Sequence, residues 1–352
     1  MKKIKILLVT HLFSRHGSSS IKGGYYYIAN YLGKYYQVDL LTCGVKDEFI
    51  KGERFNIIYK KTPKSDLFLQ RRLFLSYYAM KISKNYDLVH SLFDVCGFFS
   101  SFKFPVVLTE HVVKELDSNI WMVYKSFFQK ILYKNSKKII CVSRNLVKIL
   151  KEKYKINSLF IPHGIDTKTY YPIKIDIKLR KRFLKNKYKY ICIVCGMYAI
   201  NKPVLHEIIN EFKDILFIRI SKQEKKRKLR NLIYFSGISE EEKIKLYSLA
   251  DFVFKPLKFS SASNTILESM AMGKVMITNK TGGVTDYLDD DCGYLASSDT
   301  DFPKLFRRAM NNKYEVEKKG KNARLKAIKE FSWDVITPRI IKVYQQVLKN
   351  NI

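Results

Sequence analysis

A single carboxylate, Glu268, stands where small polar residues give way to an apolar helix, in the sequence SASNTILESMAMGKVMITNKTGG that runs from residue 261 to residue 283. Ser, Asn and Thr side chains accept hydrogen bonds from the first N–H groups of a helix, so a helix is predicted to begin here. Such a terminus binds anions. Two interpretations of Glu268 remain open: it complements the helix dipole, an effect of about 0.3–1 kcal/mol, or it accepts hydrogen bonds from ribose hydroxyls.

Two other features have residue types that bind phosphate. Lys202 follows the apolar sequence YICIVC and Gly196, where an ammonium can neutralise a diphosphate. Gly23 and Gly24 follow the apolar sequence IKILLVT, and paired glycines before a helix let the backbone approach a phosphate. The alternatives are a solvated lysine and an ordinary turn. The chain contains neither the GxGxxG dinucleotide pattern nor a Walker-type phosphate loop.

Three histidines, His11, His90 and His111, each follow or end an apolar sequence that is typical of a strand. A structural role is the default for each of them. For His111 a functional role is favoured, because Glu110 precedes it and a histidine next to a carboxylate can take part in acid–base chemistry.

Strands and helices alternate along the whole chain. The sequences IKILLVT, VDLLTC, DLVHSLF, PVVLTEH and KKIICVS predict strands before residue 172, and a second series after residue 189 consists of YICIVCG, ILFIRIS, LIYFSG, ADFVFKP, KVMITN and CGYLA. This pattern predicts an α/β fold with two doubly wound parallel sheets, and residues 173–189 are interpreted as an irregular connection. Parallel sheets bind ligands at the carboxyl ends of their strands, so two facing domains would form a cleft.

Composition narrows the function classes. The 352 residues suffice for two domains, and no segment has about 18 uninterrupted apolar residues. The net charge of +33 is spread over both halves without a nucleic-acid motif, so nucleic-acid binding is disfavoured and an anionic membrane or anionic substrate stays open. The six cysteines are interpreted as core thiols in a reducing compartment, which predicts a cytoplasmic protein.

In order along the chain, these motifs resemble those of the retaining glycosyltransferases of the GT-B fold, family 4, also called glycosyl transferases group 1. The similarity extends over nearly the whole sequence. Its motifs are GG after the first strand, DLVHSLF, VVLTEH, IICVSRNL, IPHGID, the Gly196 to Lys202 segment, YFSGISEEEKIKLYSLADFVFKP, NTILESMAMGKVMITNKTGGVTDYL and the terminal FSWDVI.

The resemblance implies two Rossmann-like domains that face a cleft. Residues 1–172 would bind the acceptor, residues 173–335 would bind the nucleotide-sugar, and residues 336–352 would form a helix that packs back on the first domain. The implied enzyme is a hexosyltransferase-type glycosyltransferase that moves a sugar, with retention of configuration, from a donor such as a UDP- or GDP-sugar to a saccharide or lipid-linked acceptor. Neither a metal nor another cofactor is expected.

The resemblance also implies roles for individual residues. Donor binding is assigned to Lys202 at the diphosphate, Glu268 at the ribose, and to Gly23, Gly24, Gly196, Asn264, Thr265 and Ile266. His111, Lys202 and Glu268 form the implied catalytic set, with His111 beside the transferred sugar. His11, His90 and Glu110 are the candidates on the acceptor side.

Two positions depart from the family pattern. Ser260 stands eight residues before Glu268, where the family often has an acid, and Met197 follows Gly196 where an arginine is common. Loss of the arginine removes a bidentate phosphate contact that Lys202 cannot reproduce. Lys255, Lys258 and Lys274 are nearby lysines that could supply the charge. A non-catalytic GT-B protein is therefore the alternative hypothesis.

A helical segment, NIWMVYKSFFQKILYKNSKK, has apolar residues on one side and lysines elsewhere. Its apolar side consists of Ile120, Tyr124, Phe127, Phe128, Ile131 and Leu132. The pattern is typical of a helix on an anionic membrane surface and equally of a helix that packs on its own domain.

Overall fold

The computed structural model describes residues 3–13, 24–63, 69–113, 120–196, 199–221 and 229–349. In chain order, the elements up to residue 160 are β1 (Lys5–Val9), α1 (Gly24–Leu32), β2 (Gln37–Gly44), β3 (Glu48–Ile50), β4 (Phe55–Lys61), α2 (Gln70–Ser83), β5 (Leu88–Ser91), β6 (Val106–Glu110), α3 (Ile120–Asn135), β7 (Lys138–Cys141), α4 (Arg144–Tyr154) and β8 (Leu159–Phe160). The remaining elements are α5 (Ile177–Leu184), β9 (Tyr190–Cys195), α6 (Lys202–Glu211), β10 (Ile215–Ile220), β11 (Leu232–Phe235), α7 (Glu240–Leu249), β12 (Phe252–Lys255), α8 (Asn264–Ala271), β13 (Val275–Asn279), β14 (Gly293–Ala296), α9 (Phe302–Asn311), α10 (Lys313–Lys326) and α11 (Trp333–Lys349). None of these described helices is long and apolar enough to cross a membrane.

The chain divides into two compact units. The N-terminal unit contains the described residues up to Gly164 together with those from Trp333 onward, and the C-terminal unit contains those from Ile165 to Ser332. These boundaries lie within about ten residues of the positions 172 and 335 that the sequence suggests. Helix α11 belongs to the N-terminal unit and contacts α1 there.

The N-terminal unit is built on an eight-stranded sheet of order β3-β4-β2-β1-β5-β6-β7-β8. All neighbouring pairs are parallel except β3 and β4. Its strands are short apolar runs because a parallel sheet is covered by helices on both faces. One face packs against α1 and α11 in a core that includes Ile6, Leu40, Trp333 and Tyr344.

The C-terminal unit has a six-stranded, wholly parallel sheet of order β11-β10-β9-β12-β13-β14. Counted from its own first strand, this order is 3-2-1-4-5-6, the doubly wound arrangement found in dinucleotide-binding proteins. The direction of winding reverses between β9 and β12. The carboxyl ends of these two strands, Cys195 and Lys255, are therefore where a ligand is expected to bind.

All six cysteines are free thiols. Five are buried, in agreement with the interpretation as core thiols, and Cys43 is half-buried. Cys192 and Cys195 lie in the cores on opposite faces of β9, as their spacing of three in a strand requires.

A capping box begins helix α7, because the Ser239 N–H donates to Glu242 Oε2 at 2.7 Å and the Glu242 N–H donates to Ser239 Oγ at 3.0 Å. The irregular connection over residues 173–189 is wrong in part, since it contains helix α5. The side chain of Asp176 caps this helix by accepting from the Leu179 N–H at 2.9 Å, a cap that the surrounding charge run concealed.

Candidate active site

The predicted ribose-binding carboxylate is anchored at a defined place in the C-terminal unit. Glu268 lies in the second turn of α8 and is only 7% exposed. Its Oε1 pairs with Lys243 Nζ at 2.6 Å, and its Oε2 accepts a hydrogen bond from the Tyr247 hydroxyl at 3.2 Å. Lys243 and Tyr247 are both on α7, so the pair connects α7 to α8 through the interior of the unit.

The Lys243–Glu268 pair is an ion pair in a buried setting. Burial opposes the ammonium of Lys243, but the charge of Glu268 and its hydrogen bond outweigh this effect, and the pKa of Lys243 is raised. The pKa of Tyr247 is also raised well above its ordinary value, mainly by burial. Both groups therefore stay protonated and donate to the carboxylate. Each carboxylate oxygen retains a second acceptor position, which a ribose hydroxyl can use.

A second buried ammonium lies at the end of β12. Lys255 is 7% exposed, and its Nζ donates to Ser263 Oγ at 2.9 Å and to Thr265 Oγ1 at 3.2 Å. Gly196 follows the neighbouring strand β9 with φ +91°, and a Cβ there would lie 3.0 Å from Lys255 Nζ. The glycine thus leaves space for the ammonium at the reversal of strand order.

Helix α8 begins beside this ammonium. Ser263 is its N-cap residue, but the Ser263 side chain makes no capping hydrogen bond and serves Lys255 instead. The first N–H groups of a helix, here those of Asn264 and Thr265, have no acceptor within the helix. The Ile266 N–H, in contrast, already donates to the Ser263 carbonyl at 3.0 Å. Of the three predicted donor-binding positions in α8, the first two are the better placed to offer an N–H.

Ser260, which stands where the family often has an acid, is held in place by backbone contacts. Ser260 is buried, and its carbonyl accepts from the Gly283 N–H at 2.7 Å. Gly282 has φ +53°, and a Cβ there would lie 2.0 Å from the Ser260 oxygen. The glycine pair after β13 therefore packs directly against the Ser260 backbone. Met197, the other position that departs from the family pattern, lies outside the described residues.

Lys202 occupies a different environment from the buried lysines. It is the first residue of α6 and its side chain is exposed. Asn201, just before it, donates to Asp299 Oδ2 at 2.9 Å, and the Asn201 N–H donates to the Pro256 carbonyl at 2.9 Å. These bonds fix the start of α6 next to the end of β12, so Lys202 belongs to the same edge of the sheet.

In the N-terminal unit, an aromatic cluster surrounds His111. Its Nε2 donates to the Leu92 carbonyl at 2.8 Å, so the hydrogen bond of 3.2 Å between His111 Nδ1 and His163 Nε2 has His163 as the donor. The His111 ring lies with its centroid 4.8 Å from that of Phe93 and 6.2 Å from that of Tyr25. Burial and the neighbouring His163 hold the pKa of His111 well below its usual range, and burial lowers the pKa of His163 to about 4. Both rings are therefore neutral near pH 7.

His11 borders the same cluster from the end of β1. Its ring makes an edge contact with Phe93 at 5.1 Å between centroids, and its Nδ1 lies 3.6 Å from Cys96 Sγ. Burial, followed by the charges of Arg72 and Arg71, holds the pKa of His11 well below its ordinary value. A Cβ on Gly24, the first residue of α1, would meet nothing within 4 Å, so packing does not require that glycine. Gly23 lies outside the described residues.

The other two acceptor-side candidates are held inside the fold. Glu110 is 1% exposed, and its carboxylate accepts four hydrogen bonds, from the N–H groups of His111 and Val112 and from the side chains of Gln129 and Tyr133. His90 is fully buried, with Nδ1 2.6 Å from the Tyr344 hydroxyl and Nε2 2.7 Å from Thr109 Oγ1. Glu110 therefore positions the loop of His111, and His90 connects the sheet to α11.

Two protein-family models match consecutive parts of the chain. The model "Glycosyltransferase Family 4" matches residues 25–169, and "Glycosyl transferases group 1" matches residues 170–326. The chain belongs to the group 1 glycosyltransferases.

Among curated relatives, a mannosyltransferase of Mycolicibacterium hassiacum, the MMP α-(1→4)-mannosyltransferase, is 26% identical over 117 residues. That alignment covers 32% of this chain and only 28% of the relative. An uncharacterised glycosyltransferase of Methanocaldococcus jannaschii is 25% identical over 328 residues, with 86% of this chain and 88% of the relative covered.

Solved glycosyltransferase structures share the fold. Sucrose-phosphate synthase from Thermosynechococcus elongatus superposes with a TM-score of 0.82 at 16% identity, covering 99% of this chain and all of the other. The Anabaena protein HepE in complex with UDP-glucose superposes with a TM-score of 0.73 at 14% identity, covering 97% and 100%. This chain therefore has the GT-B fold.

Sequence reasoning missed three residues of the glycosyltransferase that contact the predicted ones, namely Lys243, Tyr247 and His163. Lys243 and Tyr247 lie four apart on α7, on one helix face, which is the signal that could have paired them with an acid. His163 follows β8, whose carboxyl end lies at the same sheet edge as that of β6, which leads into His111. Within the described ranges, no group of three or more His, Cys, Asp and Glu side chains is placed to hold a metal ion.

Proposed function

We propose that the protein transfers a hexose from a nucleotide-diphosphate sugar to a saccharide or lipid-linked acceptor, with retention of configuration and without a metal. The N-terminal unit binds the acceptor and the C-terminal unit binds the donor. The observation that carries this proposal is the position of Glu268. It lies in the second turn of α8, one residue beyond the first-turn N–H groups and beside the reversal of strand order, where nucleotides bind in doubly wound sheets.

In this mechanism the C-terminal unit holds the donor at two points. Glu268, paired with Lys243, accepts hydrogen bonds from the ribose hydroxyls. The N–H groups at the start of α8 and the Lys202 ammonium stabilise the negative charge that develops on the diphosphate as it leaves. His111 and Gly24 belong to the N-terminal unit and contact the transferred sugar and the donor phosphate.

Bond making and bond breaking occur on one face of the sugar. The bond between the anomeric carbon and the diphosphate oxygen breaks, while the acceptor hydroxyl oxygen bonds to that carbon from the same side. The hydroxyl proton passes to the departing phosphate oxygen. No side chain of the protein needs to accept that proton. This agrees with His111, whose lowered pKa makes its neutral ring a weak base, and with Glu110, whose carboxylate already accepts four hydrogen bonds.

A donor screen followed by a turnover assay tests the proposal. Thermal-shift measurements with UDP-, GDP- and ADP-sugars identify the donor, because a ligand that binds only the folded protein raises the melting temperature. Nucleotide-sugar hydrolysis is then measured for the wild type and for Glu268→Ala and Lys202→Ala, with and without EDTA. We expect EDTA-resistant turnover that both substitutions reduce, and retained anomeric configuration in the transferred product. Turnover equal in all three proteins would refute the assignment.

Ser260 favours one second candidate, a GT-B protein that binds a nucleotide-sugar or glycan without transfer. The family's usual acid is absent at that position, and the buried serine is held by the glycine pair after β13. This candidate predicts donor binding in the thermal-shift screen with no hydrolysis above background, which separates it from the enzyme.

We further propose that α3 contributes to contact with an anionic membrane. Phe127 is 64% exposed, and Lys130 and Lys134 on the same helix are exposed as well. Leu132 is fully buried, so only part of the apolar side is available to lipid. Flotation with phosphatidylglycerol vesicles at physiological salt tests the idea, with Phe127→Ser as the comparison. Absence of wild-type binding would remove it.

A further inference from the structure

Lys255 is a lysine in a position where the fold alone gives no reason for one. It ends a strand of apolar residues, FVF, that are fully or almost fully buried. Burying an ammonium is costly unless a counter-charge compensates for it. Among the described residues, no carboxylate lies within 4 Å of Lys255 Nζ, and its two hydrogen-bond partners, Ser263 and Thr265, are neutral hydroxyls.

The charges around this ammonium add to the imbalance. Burial is the main reason that the pKa of Lys255 falls to about 8, and the positive charges of Arg219 and Lys243 lower it further. Cys195 and Glu268 act in the opposite direction, but the Glu268 carboxylate is already paired with Lys243 at 2.6 Å. This edge of the sheet thus carries buried positive charge in excess, a setting that an anion stabilises.

The ammonium of Lys255 lies at the carboxyl ends of β9 and β12, where a ligand is expected to bind. An ammonium has three N–H donors, and two of the three have acceptors in Ser263 and Thr265. Gly196 on the neighbouring strand, with φ +91°, brings its backbone close to Nζ, where a Cβ would lie 3.0 Å away. Lys255 Nζ therefore lies next to the start of α8 and to the Gly196 backbone.

The two other nearby lysines do not reach this place. Lys274 precedes β13, at the amino edge of the parallel sheet, and its Nζ donates to the carbonyls of Ser248 and Ala250 at 3.0 and 2.7 Å. Lys258 is exposed in the segment after β12. Of the three lysines Lys255, Lys258 and Lys274, Lys255 alone is both buried and at the carboxyl edge.

We propose that Lys255 binds the diphosphate of the donor and supplies the charge for which the family commonly uses an arginine at the position of Met197. The inference rests on the proposed function, because it assigns a ligand group to the same site. Lys255 contacts a phosphate oxygen with its third N–H, and Ser263 and Thr265 hold the ammonium in place.

Isothermal titration calorimetry with inorganic pyrophosphate, UDP, GDP, ADP and the matching nucleosides tests the proposal. The proteins are the wild type, Lys255→Met, Lys255→Arg and Lys213→Met, the last removing an exposed lysine that precedes β10 at the opposite sheet edge. We expect Lys255→Met to weaken pyrophosphate and the bound nucleoside diphosphate about 10- to 100-fold, the size of one lost charged hydrogen bond. Nucleoside affinity should stay unchanged, Lys255→Arg should retain part of the diphosphate affinity, and Lys213→Met should match the wild type.

The outcomes separate this inference from the proposed function. Lys255→Met should keep the wild-type melting temperature within a few degrees or raise it, because an apolar side chain replaces a buried charge. Equal diphosphate affinity in Lys255→Met and the wild type overturns the inference while nucleotide-sugar turnover upholds the proposed function. Equal losses for nucleoside and diphosphate overturn it also, since they indicate general damage to the site. Binding of pyrophosphate through Lys255 without binding of any nucleotide supports the inference and contradicts the proposed function.

Discussion

Replacement of Lys243 by methionine isolates the energy of the buried pair that holds Glu268. Both side chains are less than 10% exposed, and the 2.6 Å contact leaves no space for water between them. Methionine preserves most of the volume and leaves the carboxylate buried without its counter-charge. Removing one partner of such a pair costs about 3–5 kcal/mol. For a unit of this size, each kcal/mol lowers the melting temperature by about 2–4 °C, so Lys243→Met should melt roughly 10 °C below the wild type.

Thermal and urea denaturation, followed by circular dichroism, measure this loss. Lys245→Met is the matched control, because it removes an exposed lysine of the same helix whose partner, Glu241, is also exposed; its cost should stay below about 0.5 kcal/mol. The double variant Lys243→Met with Glu268→Gln should recover more than half of the loss, since no unpaired charge remains. A loss in Lys243→Met no larger than in Lys245→Met would refute the buried-pair interpretation.

Three further predictions concern other parts of the fold. Burial lowers the pKa of His90 to about 3. Below about pH 6.5 this histidine is protonated in the unfolded chain but stays neutral in the native state, so the free energy of unfolding decreases as the pH falls. Between pH 7 and pH 5 the expected decrease from this residue is about 2 kcal/mol. His90→Gln should remove that part of the acid sensitivity in urea titrations at both pH values, and an unchanged pH dependence contradicts the assignment. Gly164→Ala should destabilise the N-terminal unit by about 1–3 kcal/mol, because the added Cβ would lie 2.5 Å from the Trp333 ring at the start of α11; unchanged tryptophan fluorescence and melting argue against that packing. Gly196→Ala should cost about 1–3 kcal/mol through its φ of +91° and should displace Lys255, weakening pyrophosphate binding; wild-type calorimetry in this variant contradicts the close approach.

Most strands of this protein were readable from sequence because they are short apolar runs. In a parallel sheet both faces are covered, so VMIT or ILFIRI stands out from its charged surroundings without any knowledge of its neighbours. The helix start at Asn264 and the capping box at Ser239 were predictable for a related reason, since both depend on residues only three or four apart. Strand β4, with sequence FNIIYKK, was not identified, because only half of it is apolar and its place beside β2 is set by long-range pairing.

The candidate site divides in the same way. The sequence by itself determined which candidate site residues occur and in what order along the chain. They are a glycine pair, a histidine after β6, a glycine after β9, and an acid inside a helix with a polar start. It could not determine that Glu268 is paired with Lys243 or that Glu110 is saturated with hydrogen bonds, because those partners lie on other helices. Among three lysines of the same type, only the tertiary structure distinguishes Lys255, buried at the carboxyl edge, from Lys274 at the amino edge and Lys258 in solvent. The physical reason is that burial and counter-charge, which decide what an ammonium can bind, are properties of the surrounding fold and not of the residue.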